Sequence, residues 1–171
     1  MTSDEADRDL LREVTLRAGQ LALTFFRQNP RAWSKEGGSP VTEADMAVDT
    51  FLRAELQGAR QHYGWLSEET EDDPAARSQD SVFIVDPIDG TRGFMEGDER
   101  WCVSMALVRD KRPVAAALYA PALDEMYIAA VGSGAFLGDR RLSISAAPDA
   151  AGARLAGPRG WFRNGILEEV G

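Results

Sequence analysis

Apolar positions recur at helical spacing near the start of the chain and at strand spacing in its second half. Between residue 3 and about residue 27, Leu11, Val14, Ala18, Leu21, Ala22 and Phe25 fall on one face of a helix. Ser3 is placed to cap this helix, Asp4, Glu5 and Asp7 lie in its first turn, and Asn29-Pro30 is the expected stop. Residues 30 to 41, with Lys35-Glu36-Gly37-Gly38-Ser39-Pro40, read as a loop, either a lid or a connection, and Lys35 reads as a solvated loop lysine in preference to one that meets a metal-bound water or phosphate. Thr42-Glu43-Ala44-Asp45 has the capping-box pattern and opens a second helix to about Gln57, with Ala47, Phe51 and Ala54 as its apolar face. The chain turns from Gly58 to Gly64, and Trp65-Leu66 begins a short apolar element. Pro74 to Asp80 reads as a linker inside the domain.

Val82-Phe83-Ile84-Val85 then predicts a buried strand that runs into Asp86-Pro87-Ile88-Asp89-Gly90-Thr91, where Asp-Pro and Asp-Gly are expected to turn the backbone at once. Trp101 to Val108, Val114 to Tyr119, Met126 to Val131 and Ala135 to Leu137 are short strand-like runs separated by turn residues. That spacing predicts an antiparallel meander. The expected fold class is therefore α+β, with two N-terminal helices packed on a mainly antiparallel sheet.

Composition narrows the function classes. The chain has 171 residues, 44% of them hydrophobic and 27% charged, which suits one ordinary soluble domain. Its net charge of −9 argues against a nucleic-acid polymer as partner. Cys102 is the single cysteine and His62 the single histidine, so neither an internal disulfide nor a Cys/His zinc cluster fits. The acidic start has no apolar signal region, and no apolar run approaches the ~20 residues of a membrane span. A cytoplasmic protein is expected, with no membrane partner. From Ala146 the composition shifts to Ala, Gly and Pro, and Trp161, Phe162, Ile166 and Leu167 follow. Residues 1–145 are expected to form one domain, and 146–171 a linker or crossing segment that ends in an unfinished element.

Candidate chemistry gathers at the acids. Desolvated carboxylates are costly unless paired or bound to metal. Asp86 and Asp89 lie three apart across a turn able to aim both side chains and the Ile88 carbonyl at one point, where Mg²⁺ would find oxygen ligands. Gly90 permits close backbone approach, so its amide and that of Thr91 are placed to hold a phosphate. Glu68, in Ser67-Glu68-Glu69-Thr70, is a further candidate ligand. On spacing alone, an ordinary Asx turn after a strand explains Asp86 to Gly90 equally well, and a plain helix cap explains Asp45 better than any chemistry.

The run Asp86-Pro87-Ile88-Asp89-Gly90-Thr91 resembles the metal-binding motif of the inositol monophosphatase family, which includes 3'-phosphoadenosine-5'-phosphate phosphatases (bisphosphate nucleotidases). Ser67-Glu68-Glu69-Thr70, Ser39-Pro40-Val41-Thr42-Glu43-Ala44-Asp45 and Gly132-Ser133-Gly134-Ala135-Phe136-Leu137 support the resemblance, over roughly residues 35 to 145. It implies the N-terminal half of a layered αβαβα sugar-phosphatase fold and, for 146–171, the start of a C-terminal half that is absent. It implies that Glu68, Asp86 and the Ile88 carbonyl hold a first Mg²⁺, and Asp86 and Asp89 a second. A third ion would be reached by Glu68 through water. It also implies that Gly90 and Thr91 amides hold the substrate phosphate, and that Thr91 and Asp45 position and activate the attacking water. The catalytic candidates are thus Asp45, Thr91 and Glu68. The reaction implied is direct, lithium-sensitive hydrolysis of a small phosphate monoester such as an inositol monophosphate, with a bisphosphate nucleotide as the alternative substrate.

The chain departs from the family in two places. The family supplies a third carboxylate to the second metal from a Trp-Asp motif in its second half, and here Trp161 precedes Phe162. The second metal site is therefore expected to be incomplete. Arg92-Gly93 stands between Thr91 and Phe94 where many members carry another residue. Tyr119-Ala120-Pro121 leans toward the nucleotidase branch, while Ile88 and Gly134 to Leu137 suit the inositol branch equally. A truncated, non-catalytic module that binds metal or phosphate, or pairs with a second copy as a homodimer, is the reading of another class.

Overall fold

Alternation along the strands decides which face of the sheet is buried. Val103, Met105 and Leu107 are buried, as are Ala115 and Ala117 opposite them, and these side chains join one core with Leu11, Val14, Ala18, Val48, Leu52 and Leu56 from the helices. The computed structural model describes residues 3–35, 38–71 and 73–144. In order the elements are α1 (Ser3–Leu23), β1 (Ala32–Ser34), β2 (Pro40–Thr42), α2 (Glu43–Ala59), β3 (Gly64–Ser67), α3 (Pro74–Arg77), β4 (Ser81–Asp89), α4 (Thr91–Glu96), β5 (Cys102–Arg109), β6 (Arg112–Ala120), β7 (Glu125–Ala130), β8 (Gly134–Leu137) and β9 (Arg140–Arg141). Seven strands form one sheet in the order β3-β4-β5-β6-β7-β8-β9, antiparallel throughout except for the parallel pair β3 and β4. The α+β expectation and the meander are what the chain builds.

α1 lies across β5, β6 and β7, and α2 packs on β4 and α1. Gly19 makes the first contact close, because a Cβ there would stand 2.4 Å from the Tyr119 ring. Among the described residues no helix covers the opposite face of the sheet, and Ser104, Ala106, Ala116, Leu118 and Ala129 line a recess there of about 370 Å³. Among the described residues, no helix is long and apolar enough to cross a membrane.

Five local expectations are corrected. α1 ends at Leu23, short of the expected residue 27; Thr24 Oγ1 donates to the Leu21 carbonyl (2.7 Å), and the chain passes through positive φ at Arg27 and Asn29. This turns Phe26 into the core, 5.5 Å from the Phe94 ring and 5.3 Å from Trp101, while Phe25 packs half-buried against it. The acids of the first turn do more than face a dipole. Asp7 is buried and accepts from Arg60, Arg109 and Tyr63, and Asp4 pairs with Arg109, which ties α1 to α2 and β5. Residues 30–41 contain a hairpin, β1 with β2, because Val41 is buried and draws its neighbours into pairing. The buried face of α2 is Ala44, Asp45, Val48, Asp49, Leu52 and Leu56, so Ala54 faces outward. Residues 74–80 begin with the helical turn α3, capped by Asp73. The expected linker at 146–171, with its terminal apolar residues, lies outside the described residues.

Candidate active site

β4 does not turn at Asp86, as the Asp-Pro step suggested. It stays extended to Asp89, and Ile84 faces out at 39% exposure while Phe83 and Val85 are buried. Asp86 pairs with Ser104 and Asp89 with Cys102, so β4 holds one residue more than β5 between those pairs. This bulge re-aims side chains at the strand's end and absorbs Pro87, which has no amide to give the ladder. The turn comes at Gly90, whose φ of 92° is left-handed. A Cβ there would lie 3.1 Å from the Arg100 carbonyl oxygen, so glycine meets both a backbone and a space requirement. α4 starts at once with Thr91.

Asp45 reaches this corner from α2, and its two oxygens divide the work. Oδ2 accepts from the Thr42 amide (2.8 Å) and the Thr42 hydroxyl (2.5 Å), completing the capping box. Oδ1 lies 3.3 Å from Thr91 Oγ1, whose single hydroxyl hydrogen has both this oxygen and the Ile88 carbonyl (2.9 Å) as acceptors in reach. The cap expected from the sequence is present, and it leaves one oxygen facing the motif. Asp45 is fully buried, and burial raises its pKa while the bonds from Thr42 and Thr91 oppose the rise.

Glu68 arrives by the parallel pair. Ser67 stands opposite Val85, and the Glu68 amide donates to the Val85 carbonyl (3.1 Å), so Glu68 leaves the sheet beside Asp86. Lys35, read from the sequence as solvated, is bound instead. Its Nζ donates to Glu69 Oε1 (2.6 Å), to the Glu68 carbonyl (3.1 Å) and to Glu68 Oε1 (3.4 Å), because the hairpin folds it over the glutamates. The Glu69 side chain is 4% exposed and Glu68 is 54% exposed. Burial raises the Glu69 pKa, against the lowering effect of Lys35.

Glu68, Asp86, Ile88, Asp89, Gly90 and Thr91 line one cleft of about 250 Å³, with Ser39, Pro40 and Arg92. The Asp86 carboxyl is pushed up to about 7, first by burial and then by Glu68, Asp89 and Asp45 around it. Cys102 Sγ donates to Asp89 Oδ2 at 3.8 Å, and burial and that carboxylate push the thiol up to about 12. Among the described residues, no three Asp, Glu, His or Cys side chains are drawn together to metal-ligand spacing. The donor types nonetheless fit a hard cation: the cleft offers carboxylate oxygens and a backbone carbonyl with a lone pair to spare. A charge-repelled carboxyl such as Asp86 is what a cation would relieve.

This acidic corner, on this sheet, has relatives. Residues 5–164 match the inositol monophosphatase family. The chain belongs to that family. Within the inositol monophosphatase family, the inositol-1-monophosphatase of Mesorhizobium japonicum is 42% identical over 137 residues, 78% of this chain and 50% of that protein. A 3'(2'),5'-bisphosphate nucleotidase of Aggregatibacter actinomycetemcomitans is 34% identical over 126 residues, 72% of this chain and 47% of that protein. The crystal structure of extragenic suppressor protein suhB from Bartonella henselae superposes with a TM-score of 0.77 at 34% identity, covering 83% of this chain and 55% of that one. The chain spans about half the length of the curated relatives it matches.

Of two residues beside the family motif, sequence reasoning set Lys35 aside and did not pick out Asp49. Lys35 looked like any loop lysine. Asp49, buried on α2, accepts from the Ser67 hydroxyl and from Thr70 Oγ1 (3.3 Å), while Trp65 Nε1 donates to Thr70 Oγ1 (3.1 Å). It therefore pins both ends of the segment that carries Glu68 and Glu69. Its signal was legible: Asp49 follows Asp45 by four residues, which puts both carboxylates on one helix face.

Proposed function

We propose that residues 1–145 form the metal- and phosphate-binding domain of a Mg²⁺-dependent phosphomonoesterase, and that 146–171 begin a second half. Its substrate on this reading is a small phosphate monoester of the inositol monophosphate kind. The observation that carries this is the single cleft where Glu68, Asp86, Asp89 and the Ile88 carbonyl meet Gly90 and Thr91, with Asp45 behind Thr91. Glu68, Asp86 and the Ile88 carbonyl would hold one Mg²⁺, and Asp86 with Asp89 a second with fewer protein ligands. When bound, the ions would neutralise phosphate charge and lower the pKa of water.

The chain's own groups would do the rest. The Gly90 and Thr91 amides hold the phosphate at the start of α4. The Thr91 hydroxyl orients the attacking water, and Asp45 Oδ1 takes its proton; the raised pKa of Asp45 makes it the stronger base. Lys35 keeps the two glutamates in register with the motif. We extend the reading to lithium inhibition, a cytoplasmic location and self-association as a homodimer, for which the sheet face that no described helix covers offers a surface.

The test is phosphate release from inositol 1-phosphate and from 3'-phosphoadenosine 5'-phosphate, with and without Mg²⁺ and Li⁺. Mg²⁺-dependent, Li⁺-sensitive release is expected, and Asp89→Asn should remove most of it. Release from neither substrate would sink the enzyme reading. A Mg²⁺ titration by calorimetry would then show whether the chain is a non-catalytic metal-binding module.

A further inference from the structure

Among the described residues that line the acidic cleft, Arg92 is the one basic side chain. It follows Thr91 directly on α4, so the backbone that would hold the cleaved phosphate also carries this guanidinium. Arg92 also lines an adjoining recess of about 230 Å³, with Gly38, Pro40, Met95 and Glu96. It thus borders both spaces.

The side chain is exposed, and no hydrogen bond or ion pair engages it among the described residues. Glu96, one turn along α4, shares the recess without pairing with it. The other cation at these carboxylates, Lys35, is committed to Glu68 and Glu69. Arg100 and Arg27 beyond α4 are likewise taken, by Asp98 and Glu99. An unpaired guanidinium at an acidic mouth has a fork of donors that matches a phosphate or carboxylate. The cleaved phosphate has its own expected partners in the Gly90 and Thr91 amides. A second anionic group would find Arg92 alone, with Pro40 and the half-exposed Met95 as apolar walls for the substrate's organic part.

We infer that Arg92 is a specificity-determining residue that binds a second anionic group of the substrate, beside the phosphate that is cleaved. The inference rests on the phosphomonoesterase reading for its catalytic arm and favours phosphate monoesters that carry another phosphate or a carboxylate.

The experiment compares wild type, Arg92→Ala and Arg92→Lys in the full chain. With 3'-phosphoadenosine 5'-phosphate, Arg92→Ala should lower kcat/KM by about ten- to a hundredfold, as expected for a lost charged hydrogen bond, and the loss should appear in KM. With inositol 1-phosphate the change should stay within about threefold, because no contact to a second anion is lost there. Arg92→Lys should recover part of the loss, since it keeps the charge without the fork. A second arm needs no turnover: calorimetric binding of adenosine 5'-monophosphate should weaken in Arg92→Ala, while binding of inorganic phosphate should not. Equal losses on both substrates, or no change on either, would overturn the inference. If the wild type cleaves neither substrate, the phosphomonoesterase reading fails, and unchanged binding of adenosine 5'-monophosphate in Arg92→Ala overturns the inference independently.

Discussion

Lys35 Nζ lies 2.6 Å from Glu69 Oε1, and this contact fastens the β1–β2 hairpin to the segment that carries Glu68. The glutamate is almost wholly enclosed and the lysine is 24% exposed. Removing the lysine leaves a buried carboxylate without its cation. Lys35→Ala should destabilise the chain by about 1–2 kcal/mol, toward the low end because water still reaches the lysine. Urea denaturation measures it. The double variant with Glu69→Ala should cost less than the sum of the two single variants, since the pair acts as a unit. Additive losses would show that the contact contributes nothing.

Asp45→Asn separates the cap from the chemistry. The amide oxygen can replace Oδ2 toward Thr42, so the capping box survives and the urea midpoint should hardly move. The group facing Thr91 then becomes an NH₂, which cannot take a proton. Phosphate release should fall by about 10²–10⁴-fold, the usual contribution of a general base. Turnover near the wild-type rate would remove Asp45 from the mechanism.

Asp86 sets a pH dependence whose sign follows from its neighbours. Its ordinary value is 3.8 and the folded chain holds it at about 7, so between those values the folded state binds more protons than the unfolded state. Stability in EDTA should therefore fall as pH rises through that window. Asp45 and Glu69, also raised, act in the same direction. The urea midpoint in EDTA should be higher at pH 5 than at pH 8, and Asp86→Asn should flatten the difference. Mg²⁺ affinity should run the other way and strengthen with pH, because the ligand must be deprotonated. A midpoint that climbs toward pH 8 in EDTA would contradict the arrangement.

Gly90→Ala should cost about 1–3 kcal/mol, the range for a side chain forced into left-handed backbone. The φ is 92°, and the added carbon would press on the Arg100 carbonyl at 3.1 Å. Thermal unfolding checks it, and an unchanged melting temperature would mean that the turn relaxes freely.

The sequence predicted some of these features for physical reasons and missed others for equally physical ones. The meander was readable because Val103, Met105 and Leu107 alternate with residues that face the other side. The cap at Thr42 was readable because its chemistry is local. The hairpin β1–β2 was hidden by Gly37, Gly38 and Pro40, which look like loop. The face of α2 was misjudged because two of its buried residues, Asp45 and Asp49, are charged, and their partners Thr91, Ser67 and Thr70 lie far along the chain. The bulge after Asp86 was invisible because it exists only relative to β5. Lys35 was discounted because its partners are more than thirty residues away.

β3 and β4 run side by side in the same direction, and both emit their acidic residues at the same end. Because the ladder sets Glu68 next to Asp86, and Asp49 holds Thr70 just beyond, the rest of the crossover between the two strands has little part in their spacing. A longer excursion there costs little closure entropy. An insertion or a grafted segment is therefore best placed in that crossover outside α3, which rests on β3 so closely that a Cβ on Gly64 would stand 1.9 Å from the Ala76 carbonyl oxygen.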